Sequence, residues 1–205
     1  MTIPNFGWTK TDDTKSKIQW INPEQTVAIS VNFFNLQPDI PTIKLIDTLR
    51  NFYRNSIMSI NGGLIEVELK KIANIPVART IFKIPQEPSG MTYIASLTIP
   101  FETCSFVLKV QGFEDGITGM RDTIVANKLL GKGDLTIGEN GYENWFSDPY
   151  DSNFTDGTLM NKSEQTIYDK DFPSHPLTLV RTIINKIESE LTFNSDVEKL
   201  STLIK

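Results

Sequence analysis

Apolar and polar residues alternate through residues 62–114 with the period of two that predicts β-strands. This period places successive side chains on opposite faces of a sheet, and it is clearest in residues 65–69, 78–84 and 93–101. Turn-forming residues separate the apolar runs, and connections this short join only antiparallel neighbours. The pattern therefore predicts an antiparallel meander of about four strands.

The segment before the meander is predicted to contain one strand and one long helix. The strand covers residues 26–34, which alternate in the same way. Asp39 or Thr42 can cap a helix of about 18 residues, because a short polar side chain accepts a hydrogen bond from the free amides of the first turn. The glycines of residues 61–63 stop this helix. Further upstream, we expect Trp8 or Trp20 to cover an edge of the core.

Three more helices follow from apolar residues spaced by three and four. The second helix is predicted at residues 118–130 and ends at Gly131. The third covers residues 177–191, and the short fourth opens at a capping box formed by Ser195 and Glu198. The apolar face of the second helix, which is expected to pack inward, consists of Ile117, Met120, Ile124, Val125 and Leu129.

Length and composition indicate one compact domain that spans residues 1–205. A chain of 205 residues with 39% hydrophobic residues can bury a core without disulfides or metals. Cys104 is the only cysteine, so no internal disulfide can form. We therefore expect an α+β fold, in which helices pack on an antiparallel β-meander sheet.

Neither an export signal nor a membrane span is expected. The first residues, MTIPNFGWTKTDD, lack the basic and apolar regions of a signal peptide. No apolar run approaches the roughly 18 residues that a bilayer span needs. These patterns predict a soluble, cytoplasmic protein that does not act on membranes.

Residues 131–175, here called the acidic segment, follow neither period. The segment carries nine carboxylates and three lysines, a local balance of −6, in a chain whose net charge is −5. It also holds seven aromatic residues, which argue against disorder. We expect an ordered, acid-rimmed excursion that repels nucleic acid and attracts basic proteins, although a solvated loop kept soluble by its charge gives the same pattern.

The chain carries no recognisable set of catalytic or cofactor-binding residues. His175 is the only histidine, and no nucleophile elbow, P-loop or dinucleotide-binding fingerprint is present. The EF-hand spacing also fails, because counting from Asp151 puts Asp156 at the required glycine and Lys162 at the required glutamate. We therefore expect no cofactor, no resident metal and no enzymatic activity.

Two elements in this part of the chain resemble those of a known protein family. The segments WFSDPYDSNFTDG (145–157) and YDKDFPSHPLTLVRTII (168–184) resemble a family of bacterial proteins that carry DPYD and then YDxxFPxHPL shortly before the last helices. This resemblance implies no activity. The order of strand, helix, antiparallel meander and closing helix also looks like the PsbP-like fold. That fold includes photosystem subunits, a Ran-binding protein and the effector-associated chaperones of type VI secretion, and the resemblance implies a protein-binding role.

The sequence thus favours a non-enzymatic protein-binding domain. Within that class, we expect a bacterial immunity or accessory protein that covers the basic surface of a secreted toxin or effector. Its oligomeric state is left open. The residues expected to bind the partner are Trp145, Asp148, Tyr150, Asp151, Tyr168, Asp169, Asp171 and His175.

Two other functional hypotheses stay open at this point. The first is a metal-dependent hydrolase, which requires one acidic cluster to converge on a single pocket. The second is a purely structural role, in which the DPYD and YDxxFPxHPL elements only pin the long segment. The hydrolase cluster would consist of Asp148, Asp151, Asp169, Asp171 and His175.

Overall fold

Seven antiparallel strands form one continuous sheet in the computed structural model, which describes residues 1–139 and 141–204. The strands are β1 (Thr9–Asp13), β2 (Lys17–Ile21), β3 (Val27–Phe34), β4 (Gly63–Ile72), β5 (Ile75–Pro85), β6 (Met91–Pro100) and β7 (Ser105–Phe113). Their order across the sheet is β1-β2-β3-β7-β6-β5-β4. Two meanders, β1 to β3 and β4 to β7, therefore join where β3 pairs with β7.

Four α-helices flank the sheet, and the two long ones nearest its centre lie on opposite faces. The helices are α1 (Ile46–Met58), α2 (Met120–Lys132), α3 (Pro176–Glu190) and α4 (Ser195–Glu198). Val180 and Ile184 of α3 share a core with Val77 of β5, whereas Leu49 of α1 shares a second core with Ala78. Adjacent strand residues point to opposite faces, so α3 and α1 cover different sides of the sheet. The fold is mixed α+β, as the sequence predicts.

The meander and β3 agree with the prediction, but β1 and β2 were missed. β1 has the sequence TKTDD and is mostly exposed, so it carries no apolar alternation. β2 has the sequence KIQWI and all its residues are half-buried. Both Trp8 and Trp20 pack against the core under α3, so this end of the sheet is covered by aromatic rings.

The first helix is shorter than predicted. It begins at Ile46 rather than near Thr42, because Ile40 and Ile43 are buried in the core under α1 while the chain is still irregular. The Thr42 hydroxyl does accept hydrogen bonds from the amides of Lys44 and Leu45, at 3.0 and 3.3 Å, but these close a turn that precedes the helix.

The second helix buries only part of the predicted apolar face. Ile117, before the helix, is 81% exposed, and Met120 and Ile124 are exposed as well. The residues that α2 buries are Arg121, Val125, Ala126 and Leu129. Two of the five predicted residues, Val125 and Leu129, are therefore buried, and the apolar pattern did not include Arg121, which is fully buried. The helix also continues past Gly131 and ends at Gly133, whose positive φ of 76° suits a glycine cap.

The fourth helix begins where it was predicted, but it ends at Glu198, before Leu200 and Ile204 of the predicted apolar stripe, and its cap differs. Asn194 is the N-cap, and its side chain accepts a hydrogen bond from the amide of Val197. A capping box exists elsewhere, where Asn161 and Glu164 open a short 3-10 helix in the acidic segment. Among the residues described, no helix is both long enough and apolar enough to cross a bilayer.

Two glycine substitutions are expected to change stability in opposite directions. A Cβ at Gly63 would collide with the carbonyl oxygen of Thr158 and lie 2.9 Å from Cε of Lys83. We expect Gly63→Ala to lower the free energy of unfolding by about 1–3 kcal/mol, because the acidic segment must move away from β4. Gly131→Ala is the matched control. Its Cβ meets no atom within 4 Å, and alanine in a helix is favoured by about 1 kcal/mol.

Urea denaturation of both glycine variants checks this pair. If Gly63→Ala does not lower the free energy of unfolding relative to Gly131→Ala, Thr158 is not held against β4.

Candidate protein-binding surface

The acidic segment is ordered and is built from short elements. They are β8 (Thr136–Gly138), β9 (Gly141–Glu143), β10 (Phe146–Ser147), β11 (Met160–Asn161) and the 3-10 helices Lys162–Glu164 and Thr166–Asp171. β8 pairs with β9 and β10 pairs with β11, each in an antiparallel hairpin or ribbon. Three attachments, each built on a buried cation, then join the segment to the sheet and helices.

The first attachment joins Asp148 to Arg54 on the inner face of α1. Nε and Nη2 of Arg54 donate to the two carboxylate oxygens of Asp148, both at 2.7 Å, in a bidentate pair that is almost completely buried. Oδ1 of Asp148 also accepts the backbone amides of Tyr150 and Asp151, each at 2.9 Å. Burial by itself raises the pKa of the Asp148 carboxyl, but the hydrogen bonds from Arg54 and the two amides outweigh it, so the pKa lies below its ordinary value.

Tyr150 reinforces this attachment from the same turn. Its hydroxyl accepts the amide of Val67 at 2.7 Å and donates to the carbonyl oxygen of Val67 at 3.2 Å, so it ties the segment to β4. The guanidinium of Arg50 stacks over its ring at 3.8 Å from the centroid. The DPYD element therefore holds the segment against α1 and β4.

The second attachment is a buried ion pair between Lys83 of β5 and Glu164. The Nζ and Oε2 atoms are 2.8 Å apart, and both side chains are almost completely buried. Glu164 also accepts the backbone amide of Asn161 at 2.7 Å and lies 3.3 Å from the hydroxyl of Tyr93. Removing a charged pair from water is costly, and these extra hydrogen bonds offset part of that cost.

The third attachment centres on Asp169, which contacts two buried arginines. Arg121 of α2 and Arg181 of α3 donate to Oδ1 of Asp169 at 2.8 and 2.9 Å. Arg121 also donates to the carbonyl oxygen of Ser163, and Arg181 to that of Glu164. Burial lowers the pKa of the Arg181 guanidinium despite the nearby carboxylate. Asp169 therefore locks α2, α3 and the acidic segment together.

His175 ends the segment and caps α3. Its Nδ1 accepts the amide of Leu177 at 3.2 Å, and its Nε2 lies 3.4 Å from Oε1 of Glu114. Burial by itself raises the pKa of Glu114, but hydrogen bonds from His175 and from the amides of Gly119 and Met91 outweigh it, so the pKa lies below its ordinary value. The histidine serves as a cap and a link to the end of β7.

The structure buries six of the eight predicted partner-binding residues, either fully or in part. Trp145, Asp148 and Tyr168 are buried, so a partner would not meet their side chains without a rearrangement. Tyr150, Asp169 and His175 are partly buried and engaged in the contacts just described. Asp151 and Asp171 are exposed, and Asp171 forms a surface ion pair with Lys128 at 3.3 Å. A direct role in binding stays a prediction for all eight.

The residues of the hydrolase hypothesis do not converge on one pocket. Asp148 contacts Arg54, Asp169 contacts two arginines, and His175 contacts Glu114. Within residues 1–139 and 141–204, no three His, Cys, Asp or Glu side chains form a group that could hold a metal ion. Asp148 and Asp169 instead neutralise buried arginines.

A different part of the segment is exposed and has the composition of a binding surface. Ile137, Tyr142 and Phe146 are 69%, 43% and 56% exposed. They lie on and beside the β8–β9 hairpin, where the carboxylates of Asp134, Glu139 and Glu143 are also exposed. These six residues are called the hairpin surface. Among the described residues, none of its three carboxylates forms an ion pair with a lysine or arginine.

Trp145 supports the hairpin surface from below. Its buried ring contacts the rings of Tyr142 and Phe146 edge to face, with centroids 5.8 and 6.4 Å apart. Trp145 itself packs with Val125 and Leu129 of α2. The rings of Tyr142 and Phe146 are therefore supported by a buried side chain of the core and not only by the exposed segment that carries them.

Sequence reasoning missed the hairpin surface, although one signal was present. Asn140-Gly141 is a dipeptide typical of tight hairpin turns, and it lies between Ile137 and Tyr142. Strands of three residues are too short to show alternation. The glycines and prolines of residues 131–175 therefore determined the sequence-based prediction of an irregular segment.

Fold and surface together define a mixed α+β protein in which an anchored acidic segment exposes aromatic side chains. No protein-family model matches the chain, and no curated protein matches it significantly. Among solved structures, the chain is similar to a protein from Bacteroides thetaiotaomicron VPI-5482, with 14% identity and a TM-score of 0.34. The match covers 54% of this chain and 37% of that chain, so it spans little more than a third of the other protein. The resemblances to the DPYD family and to the PsbP-like fold stay predictions.

Proposed function

We propose that this protein is a non-enzymatic binding domain whose hairpin surface docks on a basic protein. The observation that carries the proposal is the combination, on and beside one hairpin, of three exposed apolar side chains with three exposed carboxylates that have no lysine or arginine partner among the described residues. Aromatic side chains supply much of the binding energy in protein interfaces, and charges of one sign steer a partner of the other sign. Both features are concentrated on the hairpin surface.

The anchoring of the acidic segment supports the same proposal. A flexible loop loses conformational entropy when it binds, and this loss weakens affinity. Asp148, Glu164 and Asp169 hold the segment through buried ion pairs, and Trp145 supports the aromatic rings. The hairpin is therefore preorganised. In this view, the DPYD and YDxxFPxHPL elements have the structural role that the sequence left open, and the hairpin has the binding role.

Within this class, we propose an immunity or accessory protein that acts in the cytoplasm on a secreted toxin or effector. A toxin that handles nucleic acid needs a basic surface, and an acidic protein can cover it by charge complementarity. The net charge of −5 and the local balance of −6 in residues 131–175 support a partner of this kind.

The double variant Tyr142→Ala/Phe146→Ala is expected to weaken partner binding by about 2 kcal/mol or more, about 30-fold, because two exposed rings are lost from the interface. The partner is first captured from the source cell with wild-type protein, and its affinity is then measured by calorimetry with the purified pair. The matched control is Leu36→Ala/Ile204→Ala, since these side chains are 61% and 67% exposed but lie outside the acidic segment.

Charge steering is tested with Glu139→Gln/Glu143→Gln. We expect slower association at low ionic strength and a smaller difference at high salt, because screening removes the steering field. Equal affinity of the aromatic variant and its Leu36/Ile204 control would contradict the proposal, as would an association rate that does not change with salt.

A further inference from the structure

A cavity lies at the opposite end of the sheet from the acidic segment, beneath the N-terminal residues. The chain is tied down here because Thr2 pairs with Thr192 through two backbone hydrogen bonds of 2.9 and 3.1 Å. The segment that follows, together with β2, encloses a cavity of about 260 Å³ whose floor is the buried side chain of Ile29. The cavity is formed by the fold itself and not by a loose terminus.

Aromatic rings form the walls of this cavity. Phe6, Trp8 and Trp20 line it and are half-buried, and the rings of Phe6 and Trp8 lie 5.4 Å apart. A benzene-sized molecule fits an apolar cavity of about 150 Å³. The volume therefore suits a flat apolar body of one or two rings, which the indole and phenyl faces contact by stacking.

The charged side chains that reach the cavity itself are lysines, in contrast to the acidic chain as a whole. Lys10 lines the cavity, and Nζ of Lys186 lies 5.5 Å from the centroid of the Phe6 ring. The cavity lining, within the described residues, contains no carboxylate. In a chain of net charge −5, this local sign favours an anion.

Both lysines have surface partners that a bound anion can displace. Lys10 pairs with Asp13 at 2.8 Å and Lys186 with Glu190 at 4.0 Å, and all four side chains are well exposed. Exposed ion pairs of this kind contribute at most about 1 kcal/mol, so a carboxylate at the cavity mouth can replace the surface partner.

We propose that this cavity binds a small organic anion whose flat apolar body lies between Trp8 and Trp20 and whose carboxylate faces Lys10 and Lys186. The site is separate from the hairpin surface and does not depend on the proposed protein partner. The apolar walls and the two lysines at the mouth favour aromatic carboxylates as the class of ligand.

The test uses 1-naphthylacetate and its neutral analogue 1-naphthylacetamide, which has the same ring system. The chain has three tryptophans, so its indole N–H groups give three signals in a ¹⁵N–¹H correlation spectrum. Tryptophan-to-phenylalanine variants assign them. We expect naphthylacetate to shift the signals of Trp8 and Trp20 in a saturable way. Trp145, buried beside α2, is the internal control and is expected not to move.

Charge recognition is tested with the double variant Lys10→Met/Lys186→Met. We expect about a tenfold loss of naphthylacetate affinity, because two exposed ion pairs are lost, and no change for naphthylacetamide. The control Lys132→Met removes an exposed lysine of α2, outside the cavity, and is expected to change neither affinity.

Three results would overturn the proposal. They are the absence of a saturable shift of Trp8 and Trp20 up to millimolar ligand, an equal shift of Trp145, and naphthylacetamide binding as tight as that of naphthylacetate. Because both lysines are exposed, their replacement leaves the core intact, and an unchanged Trp145 indole position together with an unchanged far-UV circular dichroism spectrum of the free variant confirms this before titration.

Discussion

Asp169→Asn is expected to lower the free energy of unfolding by about 3–5 kcal/mol, because it leaves the buried guanidinium groups of Arg121 and Arg181 without their shared carboxylate. The amide of asparagine has nearly the same shape, so the effect reports the charge and not a cavity. Urea denaturation followed by far-UV circular dichroism measures it.

Asp171→Asn is the matched control for this prediction. Asp171 lies two residues further on and pairs with Lys128 at 3.3 Å, with both side chains exposed. A surface pair of this kind contributes about 0–1 kcal/mol, so the control is expected to be near neutral. Similar effects at the two positions would mean that Asp169 does not lock α2 to α3.

Asp148→Asn is expected to cost a similar amount, about 3 kcal/mol or more, since Arg54 would remain buried opposite a neutral amide. Asp151→Asn is the control, because Asp151 is exposed and, among the described residues, its side chain accepts a hydrogen bond only from the nearby amide of Asn153. Thermal and urea denaturation of the two variants separate the buried carboxylate from the exposed one.

The Asp148–Arg54 pair also predicts a pH dependence. The pKa of Asp148 is lower in the folded protein than in the unfolded chain, so the unfolded state binds the proton more readily. The contribution of the pair is therefore fully present above the unfolded value, about 3.9, and is lost as pH falls through the lower folded pKa. Wild-type stability should fall more steeply below about pH 4 than that of Asp148→Asn. Parallel curves would exclude a depressed pKa at this position.

The sequence predicted the sheet because its central strands are long and alternate cleanly. β5 and β6 each place apolar residues on a helix-covered face, and the short turns between them allow only antiparallel pairing. β1 has no such pattern, since its residues are almost all polar and exposed. Its existence depends on the hydrogen bonds that β2 offers, which local sequence does not encode.

The helices show where a local pattern misleads. The apolar residues of α2 were assigned to its inner face, yet Met120 and Ile124 face outward. A periodicity argument counts arginine as polar and therefore exposed, but Arg121 is buried because Asp169 and two carbonyl oxygens satisfy its guanidinium. The face that α2 turns inward therefore depends on Asp169 in the acidic segment, which pairs with Arg121.

Buried ion pairs also explain why the candidate site was only partly predictable. The composition of residues 131–175 correctly indicated an ordered acidic segment. Its carboxylates were interpreted as surface charges, however, because their partners are remote: Arg54 and Asp148 are 94 residues apart, and Lys83 and Glu164 are 81 apart. Pairing across such separations appears only in the folded chain. Asp134, Glu139 and Glu143 are exposed, and among the described residues no lysine or arginine pairs with them.

The outer strand β1 has a consequence for the behaviour of this protein at high concentration. One side of β1 pairs with β2. The other side is an outer edge of the sheet, where a strand from a second molecule can add. Lys10, Asp12 and Asp13 place charges of both signs along this border, and a register shift against β2 between Lys10 and Asp12 distorts it. Burying these charges between molecules is unfavourable, so β1 protects the sheet against fibril-like self-association.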